Sequence, residues 1–459
     1  MSKYKLGKTS LKRLTGVDKR LVEIVKKAIE ETNQDFSVVE GLRSVERQNE
    51  LFKKGYTELD GYSLKSAHQC VSEDMEILTT YGWKKIDDEI KKDEKVITVN
   101  PINFKIEEKE IKEVIKFDFN GIAYHIKNSK IDLLTTDNHR HFVYIDIYNK
   151  NLKPIFMVSK KIFEIGTRKY FIRAGSPTKY DNELSYIEKL AIATVCDGSF
   201  SFKKNTKSTN ISFYLGKQRK IEYLIKLLEE NNEKYSLKPE KNRPYIFYLK
   251  LNAKLSQKIL NLIGKNKSLE YFIKNKKENA KQIIDIYTFF DGTIPKNQKS
   301  SIWYITSINK KNIDLLSVLG VYAGYTVYNS ERSNINSTFP SNKIIYTVTF
   351  GIKRFSRADR KNFKIVKYNG RFWSLNNENT TLIVRRNGKV IVTGNSGKAV
   401  DIAPYKNGKL LWDFKGNEAE WLEVGRAMLR SARILGYNLE WGITYNLPKG
   451  IDLPHFQLK

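Results

Sequence analysis

The side chains best able to break bonds in this 459-residue chain sit at two widely separated places. One is His68-Gln69-Cys70, and the other is Gly394-Asn395-Ser396. Joined across the gap, Ser66-Ala67-His68-Gln69 runs into Ser396-Gly397-Lys398-Ala399-Val400-Asp401, giving the pattern S-x-H-x-x-G-x-A-x-D. That spacing puts a His and an Asp where both can bind one metal ion, and neither half carries it alone. At the edges of the gap stand Cys70, a thiol able to attack the carbonyl before it, and Ser396, a hydroxyl nucleophile preceded by Asn395. The simplest account is a guest segment, residues 70–395, that cuts itself out and joins Gln69 to Ser396.

The segments outside the gap must then position the metal ligands. Residues 17–29 have apolar side chains at helical spacing, with Asp18 in the first turn. Residues 36–43 read as a strand, and 44–54 as a second helix with Ser44 as a possible N-cap. Beyond the gap, 399–404 reads as a short buried strand closed by Pro404, and Asn407-Gly408 as a hairpin turn. Residues 418–435 form a long amphipathic helix with Gly436 past its end, and 439–442 another strand. The 69 and 64 flanking residues together make 133, a normal size for one α+β domain.

Charge separates guest from flanks. Of a net +30, residues 70–395 carry +24. Excess charge on that scale, interleaved with Tyr and Phe, is the footprint of a polyanion partner such as a nucleic acid. A hydrophobic share of 40% fits folded material, and the length predicts two to four domains. Two cysteines, Cys70 and Cys196, exclude a disulfide framework and point to a reducing compartment. The polar, basic start lacks a secretory signal and no apolar run could span a bilayer, so the chain is expected to be made in the cytoplasm as a monomer.

The joined flanks resemble the VanY-like zinc peptidases, the L-alanyl-D-glutamate and D-alanyl-D-alanine cleaving group that phages use as endolysins. The matching pieces are Glu40-Gly41-Leu42-Arg43-Ser44-Val45-Glu46-Arg47-Gln48, the split His68…Asp401 motif, Glu440-Trp441-Gly442 and Asp452-Leu453-Pro454-His455. The resemblance implies a Zn²⁺ held by His68, Asp401 and His455, with Asp452 as the base that takes a proton from water. Arg43 would face the carbonyl oxygen or a substrate carboxylate, and Glu440 would support a ligand His. The implied substrate is a peptidoglycan peptide in the cell wall, reached from a phage-infected host's cytoplasm with outside help for export.

The guest's ends resemble inteins. The opening block is Cys70-Val71-Ser72-Glu73-Asp74-Met75-Glu76-Ile77-Leu78-Thr79, the T-x-N-H block is Thr136-Asp137-Asn138-His139, and residues 381–395 followed by Ser396 form the closing block. Cys70 would convert the Gln69–Cys70 amide to a thioester while Thr136, Asn138 and His139 polarise and protonate it. Ser396 would take over the acyl group, and Asn395 would cyclise to release the guest, with no cofactor needed. Where the family usually has a His before the terminal Asn, this chain has Gly394. Asn387-Gly388 between apolar runs is a hairpin signal, as a β-rich splicing domain needs.

Inside the guest, two apolar helices end in Asp197-Gly198 and Asp291-Gly292, their acids 94 residues apart. Each precedes strand-forming residues and a further helix, at 221–231 and 312–323, an internal repeat. It resembles the LAGLIDADG homing endonucleases, which implies that small residues such as Ala191 and Ala193 let the helices touch. Asp197 and Asp291 would then hold Mg²⁺ at the scissile phosphates of double-stranded DNA, which the basic strands would straddle. The whole is expected to be multi-domain: a split α+β zinc peptidase (1–69 and 396–459), a split all-β Hint splicing domain (70–180 and 336–395), and an α+β endonuclease with two repeats (181–335). Two rivals remain, a non-splicing DNA endonuclease carrying inert peptidase remnants and a peptidase that works unspliced. Both predict a single band on a gel.

Overall fold

The computed structural model describes residues 4–15, 17–41, 50, 53–54, 70–137, 139–145, 147, 154–177, 183–202, 209–241, 243–294, 301–334, 341–394, 399–414, 416–444 and 453–458. Arg43, His68, Asn138, Asn395, Ser396 and Asp452 lie outside them, as does most of the helix expected at 44–54. The chain is a multi-domain α+β protein with several sheets, and it divides into two compact units. One comprises 1–172, 356–386 and 391–459; the other comprises 173–355 and 387–390.

In the first unit, strands from the two ends of the chain share one sheet. Phe36–Glu40 pairs antiparallel with Ala399–Lys406, Val38 opposite Ile402 and Glu40 opposite Asp401. Ala399–Lys406 pairs in turn with His455–Leu458, and that strand with Leu439–Trp441. The helices Lys19–Glu31 and Glu418–Ile434 back this sheet, and Leu21, Ile24, Val38, Ile402, Trp421, Met428 and Phe456 form one buried core. A core assembled from both flanks cannot form from either alone. Gly425 is required by close approach, since a Cβ there would lie 2.3 Å from the Trp441 ring. Pro404 does not close its strand. The chain continues to Lys406 because Tyr405 N–H donates to the Asp35 carbonyl and Leu411 N–H to the Pro404 carbonyl. Asp18 is the N-cap of its helix rather than a first-turn residue, its carboxylate accepting from Arg20 N–H.

The rest of this unit is β-rich around a second core that includes Val71, Ile77, Leu133, Val143, Trp373 and Val384. Val71–Ser72, Phe363–Asn376, Glu113–Lys127 and Asp132–Thr135 close a barrel. Its two long strands pair without interruption from Phe363 opposite Ile126 to Asn376 opposite Glu113. Arg140–Tyr144, Ile155–Val158 and Lys169–Ile172 form a further sheet, and Thr381–Arg386 pairs with Glu76–Thr79. The expected all-β make-up is broken by the short helix Ser159–Ile165 and the 3-10 turn Arg360–Asn362. The turn Asn387-Gly388 has φ 47° and 75°, the positive pair a tight hairpin needs.

The second unit repeats one plan. Helix Tyr186–Asp197 leads into a sheet of Gly198–Phe202, Thr209–Leu215, Arg243–Leu251 and Tyr235–Glu240, in that order. Helix Ala280–Asp291 leads into Gly292–Thr293, Ile302–Ser307, Ser341–Gly351 and Thr326–Asn334, again with the last two strands swapped in space. Helix Gln218–Glu229 in the first copy and Lys310–Tyr322 in the second join the middle strands. The glycines after the two acids have matching surroundings: a Cβ would lie 2.6 Å from Thr194 Cγ2 at Gly198 and 2.5 Å from Thr288 Cγ2 at Gly292. The helices start differently, because Ser185 and Glu188 form a capping box on the first only.

Candidate functional sites

Cys70 is fully buried just before Val71–Ser72. Its N–H donates to Thr136 Oγ1 at 3.4 Å, and Thr136 N–H donates back to the Cys70 carbonyl at 3.4 Å. The turn closes with His139 N–H on the Thr136 carbonyl at 3.2 Å. His139 Nε2 then lies 2.7 Å from Thr393 Oγ1, whose hydroxyl also donates to the Arg140 carbonyl at 3.2 Å. One turn thus meets both ends of residues 70–395, Cys70 on one side and Thr393–Gly394 on the other. Thr393 has no motif of its own and was missed by sequence reasoning; its place two residues before Asn395 was the only pointer.

Gly394 also has a physical explanation. A Cβ there would lie 2.7 Å from the Arg140 carbonyl oxygen, 2.9 Å from Arg140 Cβ and 2.9 Å from Phe156 Cδ1. The space that a side chain at this position would take is therefore filled by Arg140 and Phe156. Behind His139 lies His141, whose Nε2 is 2.8 Å from Ser159 Oγ, while Ser159 N–H donates to the His139 carbonyl at 2.8 Å. Burial pushes the His141 imidazole down to about 3, so it stays neutral and serves as packing and support.

Asp401 and His455 stand opposite each other on neighbouring strands, with His455 Nδ1 3.1 Å from Asp401 Oδ1. Two ligand atoms on a tetrahedral zinc lie about 3.3 Å apart, so this nitrogen–oxygen pair fits two of the expected positions. The third, His68, is outside the described residues, and no set of three His, Cys, Asp or Glu suited to a metal occurs among those described. The Glu440 carboxylate accepts from Gln457 Nε2 at 3.1 Å on the adjoining strand.

In the second unit Asp197 and Asp291 meet over one lysine. Lys220 Nζ lies 2.5 Å from Asp197 Oδ2 and 3.8 Å from Asp291 Oδ1, with its side chain almost wholly buried. Burial raises the Asp291 carboxyl above its usual range, and the neighbouring Asp197 charge raises it further. Lys267 donates to the Gly198 carbonyl, and burial lowers its ammonium. The carboxylate pair suits a hard divalent cation, which would relieve the repulsion that Lys220 balances in part. Neither lysine was singled out from sequence, because Lys220 and Lys267 are two among 81 Lys and Arg.

Comparison with known proteins places a phage L-alanyl-D-glutamate peptidase family match on residues 1–120. That match runs past Gln69 into strands whose side chains belong to the second core. The chain is 22% identical over 365 residues to ribonucleoside-diphosphate reductase subunit beta of Aquifex aeolicus, covering 71% of this chain and 50% of that one. It therefore spans about half the length of that curated relative. Among solved structures it is similar to mesophilic variants of the homing endonuclease I-DmoI, 15% identical, covering 37% of this chain and 90% of that one at a TM-score of 0.28. It is also similar to the Serratia marcescens L-Ala D-Glu endopeptidase ChiX, 33% identical, covering 14% of this chain and 43% of that one at a TM-score of 0.12. Among the described residues no helix is long and apolar enough to cross a membrane.

Proposed function

We propose that the chain is a precursor that excises residues 70–395 and ligates Gln69 to Ser396, yielding a zinc-dependent peptidase of peptidoglycan peptides. The observation that carries this reading is the convergence of Cys70 and Thr393–Gly394 on the Thr136–His139 turn, beside a sheet that already joins strands from both flanks. The flanks' shared core gives the ligated product a fold to keep.

The steps follow from the residues. The Cys70 thiol attacks the Gln69 carbonyl carbon; the C–S bond forms, the C–N bond breaks, and the Cys70 nitrogen gains a proton. Thr136, in contact with that nitrogen, and His139 next to it are placed to hold and deliver the proton. The Ser396 hydroxyl then displaces the Cys70 sulfur to give an ester. The Asn395 side-chain nitrogen attacks its own carbonyl, forming a succinimide and freeing the Ser396 amine. That amine captures the acyl group as an ordinary amide.

In the product, His68, Asp401 and His455 would hold Zn²⁺, which when bound supplies a polarised water. Asp452 would move the proton and Arg43 would bind the substrate oxygen or carboxylate. The second unit reads as a DNA endonuclease. Its first sheet sets Tyr214, Tyr248 and Lys238 in a row across three strands, with the Tyr214 and Tyr248 rings 5.0 Å apart, while Phe213 and Leu249 are buried on the opposite face. An aromatic and basic face of this kind suits a nucleic-acid backbone. Asp197 and Asp291 would hold Mg²⁺ there, with Lys220 balancing their charge.

A gel of freshly made chain tests the reading. Splicing yields a 133-residue product and a larger free guest from the 53.4 kDa precursor. A single persistent band under reducing conditions refutes it, leaving the non-splicing endonuclease or the unspliced peptidase.

A further inference from the structure

A buried ionic cluster ties the first flank to the junction site. Asp18, fully buried at the N-cap of helix Lys19–Glu31, accepts from Arg20 Nε at 3.1 Å and from Arg20 Nη2 at 2.7 Å. The same carboxylate meets Arg140 Nη1 at 3.4 Å and the Thr380 hydroxyl at 3.2 Å. Arg140 is also fully buried, and its guanidinium lies over the Phe156 ring at 4.4 Å, as the Arg20 guanidinium does at 4.5 Å. Thr380 holds φ at 51°, a region β-branched residues avoid, and its hydroxyl is spent on Asp18.

These groups reach His139 through Arg140 and Thr393. Arg140 follows His139 in the chain, and its carbonyl accepts from Thr393 Oγ1, the hydroxyl that also meets His139 Nε2. Arg140 and Phe156 together occupy the space above Gly394. Burial lowers the Arg140 guanidinium to about 10 even though the Asp18 charge opposes the shift. On Asp18 burial acts upward, and Arg20 and then Arg140 more than offset it, leaving the carboxyl below its ordinary value. Without Asp18, Arg140 would lose the ion pair that offsets its burial while still feeling the Arg20 charge, a costly arrangement that the segment would relieve by moving.

We infer that Asp18 is a positioning residue for splicing: through Arg140 and Phe156 it sets the Thr393–Gly394 strand end against His139, so excision depends on the first flank being folded. This rests on the splicing reading above. It makes the flank a working part of the site that removes the guest. After excision Asp18 keeps its cap and its Arg20 contacts and loses Arg140 and Thr380, so the helix stays capped in the product.

The test uses the full-length precursor. Asp18→Asn keeps the cap acceptor but removes the charge, and it should slow appearance of the ligated product about tenfold or more, at a temperature where circular dichroism shows the precursor folded. Asp18→Asn combined with Arg140→Met removes both charges and should bring the rate back to within about threefold of the wild type, because deleting both partners is milder than deleting one. Should Asp18→Asn fail to fold, Thr380→Val, which keeps every charge, should still slow splicing by about threefold. Thermal unfolding of the same variants in a Cys70→Ala, Asn395→Ala background reads the contact without splicing, and the double variant should melt higher than Asp18→Asn alone. Wild-type splicing with an unchanged Asp18→Asn rate overturns this inference alone. A wild-type chain that never splices overturns the parent reading, and the role of Asp18 with it.

Discussion

Around Cys70 the contacts run through hydroxyls, imidazoles and main chain, with Cys70 and His139 fully buried and Thr136 nearly so. Around Asp197 and Asp291 two carboxylates and a lysine crowd together, and the acids keep 23% and 32% of their side-chain surface open to solvent. On the function proposed above, the difference follows from where each substrate comes from. The bond at Cys70 is part of the chain and folds into its site, so the site can be closed and needs no charge to recruit anything. A phosphodiester must arrive from outside and carries negative charge, so its site has to remain open and hold a cation.

The strongest way to break that comparison is to remove a junction nucleophile. Cys70→Ala with Asn395→Ala should abolish both small products on a gel, because no second group in the closed site can substitute; bands that persist would mean an outside protease made them. Next in size, Asp197→Asn or Asp291→Asn should lower cleavage of a target duplex by about a thousandfold while the splicing rate stays unchanged. Loss of splicing in either variant would erase the separation between the two sites.

Acid sharpens the contrast. His141 is held neutral, its folded pKa depressed from 6.5 to about 3, so it contributes stability above pH 6.5 that is lost as pH falls toward 3. The loss is on the order of 5 kcal/mol for a fully buried group. Replacing His141 with Gln should flatten that part of the acid-unfolding curve, measured by fluorescence against pH, and an unchanged curve would count against a closed, neutral junction. The smallest effect belongs to the open site. Saturating Mg²⁺ should raise the melting temperature at neutral pH by about 2–4 °C, and Asp291→Asn should remove that rise. A rise that survives in the variant would place the ion elsewhere.

Local signals carried far in this chain. Asn387-Gly388 announced its hairpin because positive φ at both positions selects those residues, and Gly436 announced the end of helix Glu418–Ile434 for the same reason, with φ 72°. The Asp-Gly repeat located two equivalent helices because a helix running into a strand over a close neighbour needs Gly at that point. Of the three residues expected to hold zinc, Asp401 and His455 stand 3.1 Å apart, and His68 lies outside the described residues. Pro404 misled, because its missing N–H matters only where a ladder partner needs one, and here the neighbouring amides take over.

Residue type alone determined which groups could react: a thiol at Cys70, an amide at Asn395, a hydroxyl at Ser396 and paired acids at Asp197 and Asp291, because nucleophilicity and charge belong to the side chain itself. Only the tertiary structure decided that Thr393 would face His139, that Lys220 would sit between the two acids, and that Asp18 would reach Arg140 across 122 residues. Those partners are set by which buried faces meet when the cores close. Common residues such as Thr, Lys and Arg acquire a role only from the few ångströms around them, and no local stretch of sequence records that distance.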